Sequence, residues 1–287
     1  MIISASRRTD IASYYSDWFF NRIKEKLVYV RNPFNFQQLT KVDLSPDAID
    51  GFVFWTKNPI PMLDRLDELN DYMFYFQITV TPYGNEIEPI KSDKLLAAFR
   101  QLSDKLGPNR VIWRYDPILL NKNYTVEYHQ SAFNEIAKKL KSYTEKVIIS
   151  FIDTHYREVK RNIKELDLHE ITDEQKVLLT GICAETAREY GFKIDACAEE
   201  RTVQRFGIPH AQCVDGVLLE KLLGRRINYR KDKNQRDECG CIQSIDIGMY
   251  NTCLSGCKYC YANYNHKQIA GNFAKHDPEA AIISGTL

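Results

Sequence analysis

Three cysteines lie within eight positions near the end of this 287-residue chain, in the stretch TCLSGCKYCYAN (252–263). Cys253, Cys257 and Cys260 follow the pattern Cys-x-x-x-Cys-x-x-Cys. Three thiolates do not close a tetrahedral zinc site, which takes four ligands. They suit a [4Fe–4S] cube in which the protein holds three irons and the fourth accepts an exogenous chelator. The spacing therefore predicts an open iron–sulfur site.

The other five cysteines also lie in the second half of the chain, and none occurs before position 183. Gly240, between two of them, lets the thiols on either side converge on one metal or cluster. A second [4Fe–4S] cluster is favoured over an all-cysteine zinc site, and the irregular spacing permits both. Cys183 shares an apolar helical stripe with Leu179 and Ala187, which predicts a core residue. Four cysteines remain for a second metal centre: Cys197, Cys213, Cys239 and Cys241.

The composition narrows the class of protein. With a net charge of only +1, the chain has no overall field that would attract a polyanion or a membrane surface. No apolar run approaches the roughly 20 residues that cross a bilayer, and the first ten residues, MIISASRRTD, lack the pattern of a signal peptide. We therefore expect a cytoplasmic protein. Thiols stay reduced in that compartment, so the clustered cysteines indicate metal ligands and not disulfides.

Short apolar runs alternate with helical patterns along the chain, which predicts an α/β fold with a parallel sheet. The length suits one (β/α) TIM-like barrel, complete or partial, over residues 1–260, with 261–287 as a tail that packs on it or trails from it. A doubly wound open sheet is the alternative. The predicted strands are 2–6, 51–56, 72–80, 110–115, 146–153, 192–197 and 244–250. The predicted helices are 14–26, 92–107, 125–143 and 172–191, with a hairpin over 28–33 and 38–44.

Charged residues follow the predicted strands at their carboxyl ends, where proteins with parallel sheets carry out their chemistry. The basic run 224–238 is typical of a solvated loop, and it could also cradle an anion. We find no Cys–His–acid order that would indicate a cysteine hydrolase. The residues expected to line a cavity and take part in catalysis are Arg7, Arg8, Asp10, Lys57, Arg114, Asp116, Asp153 and Glu199.

The cysteine triple resembles the signature of the radical S-adenosylmethionine (radical SAM) superfamily, in which an aromatic residue precedes the last cysteine. Cys253, Cys257, Tyr259 and Cys260 match that signature position by position. The resemblance implies that the cysteines ligate a catalytic [4Fe–4S] cluster and that S-adenosylmethionine chelates its open iron, with Tyr259 near the adenine. Reductive cleavage of the cofactor then gives a 5′-deoxyadenosyl radical that abstracts hydrogen. The whole chain also resembles an uncharacterised bacterial family that ends in CGC…CxxxCxxC.

The position of the motif departs from that superfamily, whose members carry the triple after their first strand and not after the last. A circularly permuted barrel accommodates the difference, because its last strand can neighbour its first. We therefore expect the strand 244–250 to lie beside IISASRRTD. The Gly-Gly-Glu-type sequence that contacts the methionyl group in the superfamily is missing here. Ser4 and Ser6, together with Arg7 and Arg8, are expected to supply those cofactor contacts.

These features together predict an anaerobic, cytoplasmic, radical SAM-like iron–sulfur enzyme. It would receive electrons from a donor such as flavodoxin or ferredoxin and act on a small molecule or peptide that the sequence does not identify. The sequence does not favour nucleic acid as a partner and leaves it open. The alternative is a non-catalytic protein that binds zinc or iron–sulfur or senses redox state. The odd ligand count and the polar strand ends favour the enzyme.

Overall fold

The computed structural model describes residues 1–89, 92–197, 206–236 and 239–287. Within these ranges strands alternate with helices. The strands form from apolar runs rich in β-branched and aromatic residues, and the helices form from segments with helical periodicity. The strands are β1 (Ile2–Ala5), β2 (Leu27–Arg31), β3 (Leu39–Asp43), β4 (Gly51–Thr56), β5 (Phe74–Thr79), β6 (Val111–Ile118), β7 (Lys146–Phe151), β8 (Lys193–Ala196) and β9 (Ile245–Asp246).

Seven of these strands form one parallel sheet in the order β8-β7-β6-β5-β4-β1-β9, while β2 and β3 form a separate antiparallel hairpin. The predicted α/β fold with a parallel sheet and the predicted hairpin are therefore confirmed. The sheet is not closed, because β8 and β9 lie at its two edges and no pairing joins them within the described ranges. A complete barrel is thus not formed.

Helices cover one face of this sheet. Side-chain caps explain where two of these helices begin. The Thr125 side chain accepts a hydrogen bond from Tyr128 N–H, and Thr172 forms a capping box with Gln175. A 3-10 helix, Ile60–Leu69, connects β4 to β5. The α-helices are α1 (Ile11–Tyr14), α2 (Ser16–Glu25), α3 (Ser92–Leu106), α4 (Val126–Leu140), α5 (Arg157–Asn162), α6 (Asp173–Tyr190), α7 (Gly216–Leu223) and α8 (His266–Ala274).

The two faces of the sheet bury different side chains, because successive residues of a strand point to opposite sides. The face under the helices is strongly aromatic, with Phe52, Phe54, Phe74, Phe76 and Trp113 all in the main hydrophobic core. The opposite face carries a second apolar cluster at its amino-terminal half, where the segment from Ala211 to Ile242, including α7, covers the strands. The space that inward side chains fill in a closed barrel is filled here by that segment.

The covered face becomes polar towards the carboxyl ends of the strands. Along β6, Ile112 belongs to the apolar cluster, whereas Arg114 and Asp116, two and four residues further on, line a cavity. On β7, Ile148 and Ser150 repeat this change from apolar to polar. The polar residues that line the cavity therefore lie towards the carboxyl ends of β6 and β7, beyond their apolar contacts with the covering segment.

The last strand of the sheet lies beside the first, as the sequence predicted. Ile3 pairs with Ile245 and Ser4 with Asp246, in parallel. The Asp246 carboxylate accepts hydrogen bonds from the Ser6 hydroxyl, from Arg7 N–H at 2.8 Å and from Gly248 N–H at 2.9 Å. One buried carboxylate thus fastens the end of β1 to the end of β9.

The residues after the cysteine triple pack on the outside of the molecule. The Trp18 indole of α2 donates to the carbonyl of Ala280 at 2.9 Å, and the Tyr15 ring lies edge-on to His276. Tyr29 N–H of β2 donates to Ala281 O at 2.8 Å. None of the helices in the described ranges is both long enough and apolar enough to span a lipid bilayer.

Replacing Asp246 tests whether this carboxylate holds the two chain ends together. Asp246→Ala leaves buried donors without an acceptor, so we expect a loss of about 3 kcal/mol or more in the free energy of unfolding. Urea denaturation of both proteins measures the loss. The exposed Asp64 serves as the control, because Asp64→Ala should change stability by no more than about 0.5 kcal/mol. Equal effects of the two substitutions would contradict the role assigned to Asp246.

Candidate functional site

A cavity of about 330 Å³ opens at the carboxyl ends of the parallel strands. Its walls come from residues that follow almost every strand of the sheet, among them Arg7 after β1, Lys57 after β4 and Cys197 after β8. Both groups of cysteines face it. The cysteines that line it are Cys197, Cys213, Cys239, Cys241, Cys253, Cys257 and Cys260.

The loop that carries the cysteine triple is held in place by backbone contacts on both sides. Lys258 N–H donates to Ile87 O at 3.0 Å, and the Tyr15 hydroxyl donates to Thr252 O at 2.6 Å. Gly256 has φ +69°, and a side chain there would come within 3.2 Å of Pro89. The loop therefore needs glycine at this position for both conformation and space.

The cysteines of the triple are half-buried and line the cavity. Burial raises the pKa of the Cys253 thiol to about 12. Burial also raises the pKa of Cys257, although the nearby Lys57 ammonium acts in the opposite direction. Metal ligation needs thiolates, so loading this group with metal releases protons and becomes more favourable as the pH rises.

A buried carboxylate that the sequence analysis missed, Glu88, anchors the cysteine loop. It accepts hydrogen bonds from the Tyr259 hydroxyl and, at 2.8 Å, from the Thr81 hydroxyl. Its other oxygen lies 3.0 Å from the Lys57 ammonium, which is itself 5.6 Å from the centre of the Tyr259 ring. Burial opposes the charge on Lys57, but Glu88 and Cys257 outweigh it and raise the pKa of Lys57 above its usual value. A permanent positive charge therefore lies beside the triple.

The four remaining cysteines of the cavity are in contact with one another. The sulfurs of Cys197 and Cys213 are 3.6 Å apart, and further thiol hydrogen bonds connect Cys213 to Cys241 and Cys241 to Cys239. Hydrogen bonds from Cys197, Cys241 and the Arg114 guanidinium hold the pKa of Cys213 well below its usual value, against the effect of burial.

Donors from the protein also reach these sulfurs. Arg114 Nη1 donates to Cys213 Sγ at 2.9 Å, and Val214 N–H donates to Cys241 Sγ at 3.4 Å. In the described parts of the chain, no group of three or more His, Cys, Asp and Glu side chains has the geometry of a metal site. As a donor set, all-thiolate groups suit zinc and iron–sulfur centres.

Most of the charged residues singled out from the sequence meet at this cavity. Ser6 lines it too, whereas Ser4 is fully buried and its hydroxyl lies 2.8 Å from that of Ser244. Glu199 lies outside the described residues. The roles given to all of these residues stay predictions. Those of the catalytic set that line the cavity are Arg7, Arg8, Asp10, Lys57, Arg114, Asp116 and Asp153.

Several of these charged groups also hold the cavity wall together. The Asp10 carboxylate accepts hydrogen bonds from Ser13 N–H at 3.0 Å and Lys57 N–H at 2.8 Å, so it caps α1 and fixes the end of β4. Arg114 forms an ion pair with Asp116. These contacts set the shape of the cavity before any ligand enters.

The mouth of the cavity carries aromatic and charged residues from separate loops. The rings of Tyr156 and Tyr261 stack with centroids 5.5 Å apart, and the Tyr261 hydroxyl donates to Arg7 O at 2.7 Å. Arg236, from the basic run 224–238, forms an ion pair with Asp153 at 2.5 Å. No sequence pattern pointed to the two tyrosines, because they come together only through folding.

The fold and site define an α/β protein with an open parallel sheet and a cavity lined by two groups of cysteines. Residues 2–262 match the model of a family described as Domain of unknown function (DUF1848), and the chain belongs to that family. The matched range includes all eight cysteines. No curated protein matches the chain.

Substitutions of Lys57 and Glu88 test whether these two buried charges interact directly. Glu88→Gln leaves a buried ammonium without its counter-charge, so we expect a loss of about 3–5 kcal/mol in the free energy of unfolding. The double variant Lys57→Met/Glu88→Gln removes both charges and should recover most of that loss. Thermal and urea unfolding of the wild type, the single variants Glu88→Gln and Lys57→Met, and the double variant measure the coupling. Additive losses in the double variant would contradict a direct interaction.

Proposed function

We propose that this protein is a radical SAM-like iron–sulfur enzyme in which Cys253, Cys257 and Cys260 hold a [4Fe–4S] cluster and the adjoining cavity takes S-adenosylmethionine and a substrate. One observation carries the proposal: these three thiols line the cavity at the carboxyl ends of the parallel sheet. An odd number of thiolates at that position suits a cluster with one open iron. Together, cluster and cofactor would supply a 5′-deoxyadenosyl radical.

The protein's own residues fit this chemistry. Lys57 places a buried positive charge beside Cys257, which favours the thiolates and the negatively charged centre that they would form. The hydrogen bond from the Tyr259 hydroxyl to Glu88 holds the loop that carries the cysteines. Tyr259 is the aromatic residue that the signature places near the adenine. Tyr156 and Tyr261, both exposed, stack at the mouth of the cavity and would cover part of it.

We propose further that the open sheet is a partial barrel, circularly permuted relative to ordinary radical SAM proteins. The pairing of β9 with β1 supports this, because it puts the residues after β1 next to the cysteine loop. Tyr261, directly after Cys260, donates to Arg7 O and so joins the two segments. Ser6, Arg7 and Arg8 would then lie where the superfamily contacts the methionyl group, with Ser4 supporting them from behind.

The setting in which such an enzyme works follows from the cofactor. Reductive chemistry at an iron–sulfur centre needs an anaerobic, reducing compartment such as the cytoplasm and an electron donor such as flavodoxin or ferredoxin. The substrate would be a small molecule or a peptide. Cys197, Cys213, Cys239 and Cys241 would form a second metal centre in the same cavity.

The proposal is tested with anaerobically reconstituted full-length protein, a strong reductant and S-adenosylmethionine. We expect formation of 5′-deoxyadenosine, detected by chromatography and mass spectrometry. Cys257→Ala should abolish it, because the cluster loses one of its three ligands. Cys183→Ala is the matched control, since Cys183 is buried in the hydrophobic core and takes no part in the cavity. It should keep product formation within about a factor of two.

A non-catalytic metal-binding or redox-sensing protein would behave differently in the same assay. Reconstituted protein that binds iron and sulfide yet forms no 5′-deoxyadenosine would overturn the enzymatic proposal. Protein that binds zinc at all seven cavity cysteines, and no cluster, would overturn it as well.

A further inference from the structure

We infer that Cys197, Cys213, Cys239 and Cys241 form a site for one tetrahedrally coordinated divalent ion of the zinc class, and not for a second iron–sulfur cluster. The sequence analysis favoured the cluster, and the geometry of the four thiols points the other way. The inference does not depend on what Cys253, Cys257 and Cys260 hold.

The spacing of the sulfurs is the first argument. Cys197 Sγ and Cys213 Sγ are 3.6 Å apart. Metal–sulfur bonds of about 2.3 Å in a tetrahedral site place neighbouring sulfurs about 3.8 Å apart. In a [4Fe–4S] cube each thiolate binds a different iron at a separate corner, with the cube lying between them. Two ligand sulfurs in contact match the single ion and leave no room for the cube.

The contact extends through the whole group. Cys213 also interacts by a thiol hydrogen bond with Cys241, and Cys241 does so with Cys239. These four cysteines are called the compact group below, and Cys253, Cys257 and Cys260 are called the open group, after the open iron that their odd ligand count implies.

The scaffold around the compact group holds three separate segments against each other. Cys197 N–H donates to Ile149 O at 2.8 Å, Ala211 N–H to Ala196 O at 2.8 Å, and Ile242 N–H to Val214 O at 3.1 Å. Backbone hydrogen bonds of this kind fix the thiols independently of any ligand.

Gly240 allows the segment that carries Cys239 and Cys241 to lie close to Ala211 and Gln212. A Cβ at this position would lie 2.9 Å from the side chain of Gln212 and 3.1 Å from the carbonyl oxygen of Ala211. The segment that carries Cys239 and Cys241 therefore presses directly on the backbone before Cys213. Any larger residue would separate the thiols.

The electrostatics suit a single ion with four thiolates, which together carry a net charge of −2. Arg114 is buried, and its Nη1 lies 2.9 Å from Cys213 Sγ. Val214 N–H donates to Cys241 Sγ at 3.4 Å. Donors directed at ligating sulfurs stabilise thiolate against thiol and tune the affinity for the metal. A buried cation also offsets part of the negative charge.

The metal content of a variant that lacks the open group tests the inference. Full-length protein with Cys253→Ala, Cys257→Ala and Cys260→Ala is purified anaerobically, and zinc, iron and acid-labile sulfide are measured per folded chain. We expect about one ion per chain without sulfide. Zinc and iron in that amount both support a single-ion site, and elemental analysis distinguishes them. About four irons with a matching amount of sulfide would overturn the inference, as would folded protein that retains no metal.

Cobalt binding to the same variant locates the ion. We expect the visible absorption of tetrahedral, thiolate-bound cobalt, lost on further replacement by Cys213→Ala and kept with Cys183→Ala. Gly240→Ala keeps all four thiols and should weaken cobalt binding by roughly tenfold or more, because its methyl group forces the segments apart. Gly271→Ala on α8 is the matched control, since nothing lies within 4 Å of the added carbon. Equal cobalt affinities of the two glycine variants would count against the site.

Discussion

The site depends on the pairing of the first and last strands of the sheet, which the carboxylate of Asp246 secures. A buried carboxylate costs much free energy unless donors surround it, and here the Ser6 hydroxyl and the backbone N–H groups of Arg7 and Gly248 do so. Because those donors follow β1 and the carboxylate belongs to β9, the interaction forms only when the two ends of the chain meet. The cysteine triple and the arginines near the amino end share a cavity for this reason.

The charges inside the cavity come in compensated groups. Lys57 lies against Glu88, Arg114 against Asp116, and Arg7 within 4.0 Å of Asp246. The Lys57–Glu88 and Arg7–Asp246 pairs join different parts of the wall, so they set the electrostatics and the shape of the cavity together, whereas Arg114 and Asp116 both belong to β6. Metal ligation by thiolates adds negative charge, and Lys57 acts on Cys257 of the open group while Arg114 contacts Cys213 of the compact one. Each group of cysteines therefore has its own buried cation.

The sequence was informative wherever local pattern decides structure. Apolar runs predicted all seven strands of the main sheet within a few residues, and the order of motifs predicted that 244–250 would lie beside the amino-terminal strand. Openness of the sheet could not be predicted, because the local pattern of a strand does not say whether the two edge strands pair with each other. Glu88 could not be found either. It is a single carboxylate between a strand and a helix, and its partner Tyr259 is 171 residues away along the chain.

In an open sheet, the compact cysteine group would have a structural role. In a closed barrel, hydrogen bonds between the first and last strands close the sheet and hold the strand ends in place. Here β8 is an edge, and its end forms an isolated parallel bridge from Ala196 to His210, directly before the covering segment. An ion held by Cys197 at the end of β8, by Cys213 in the covering segment and by the two cysteines before β9 would join those three parts at one point. Such an ion would supply the cross-link that strand pairing does not, next to the cavity that both cysteine groups line.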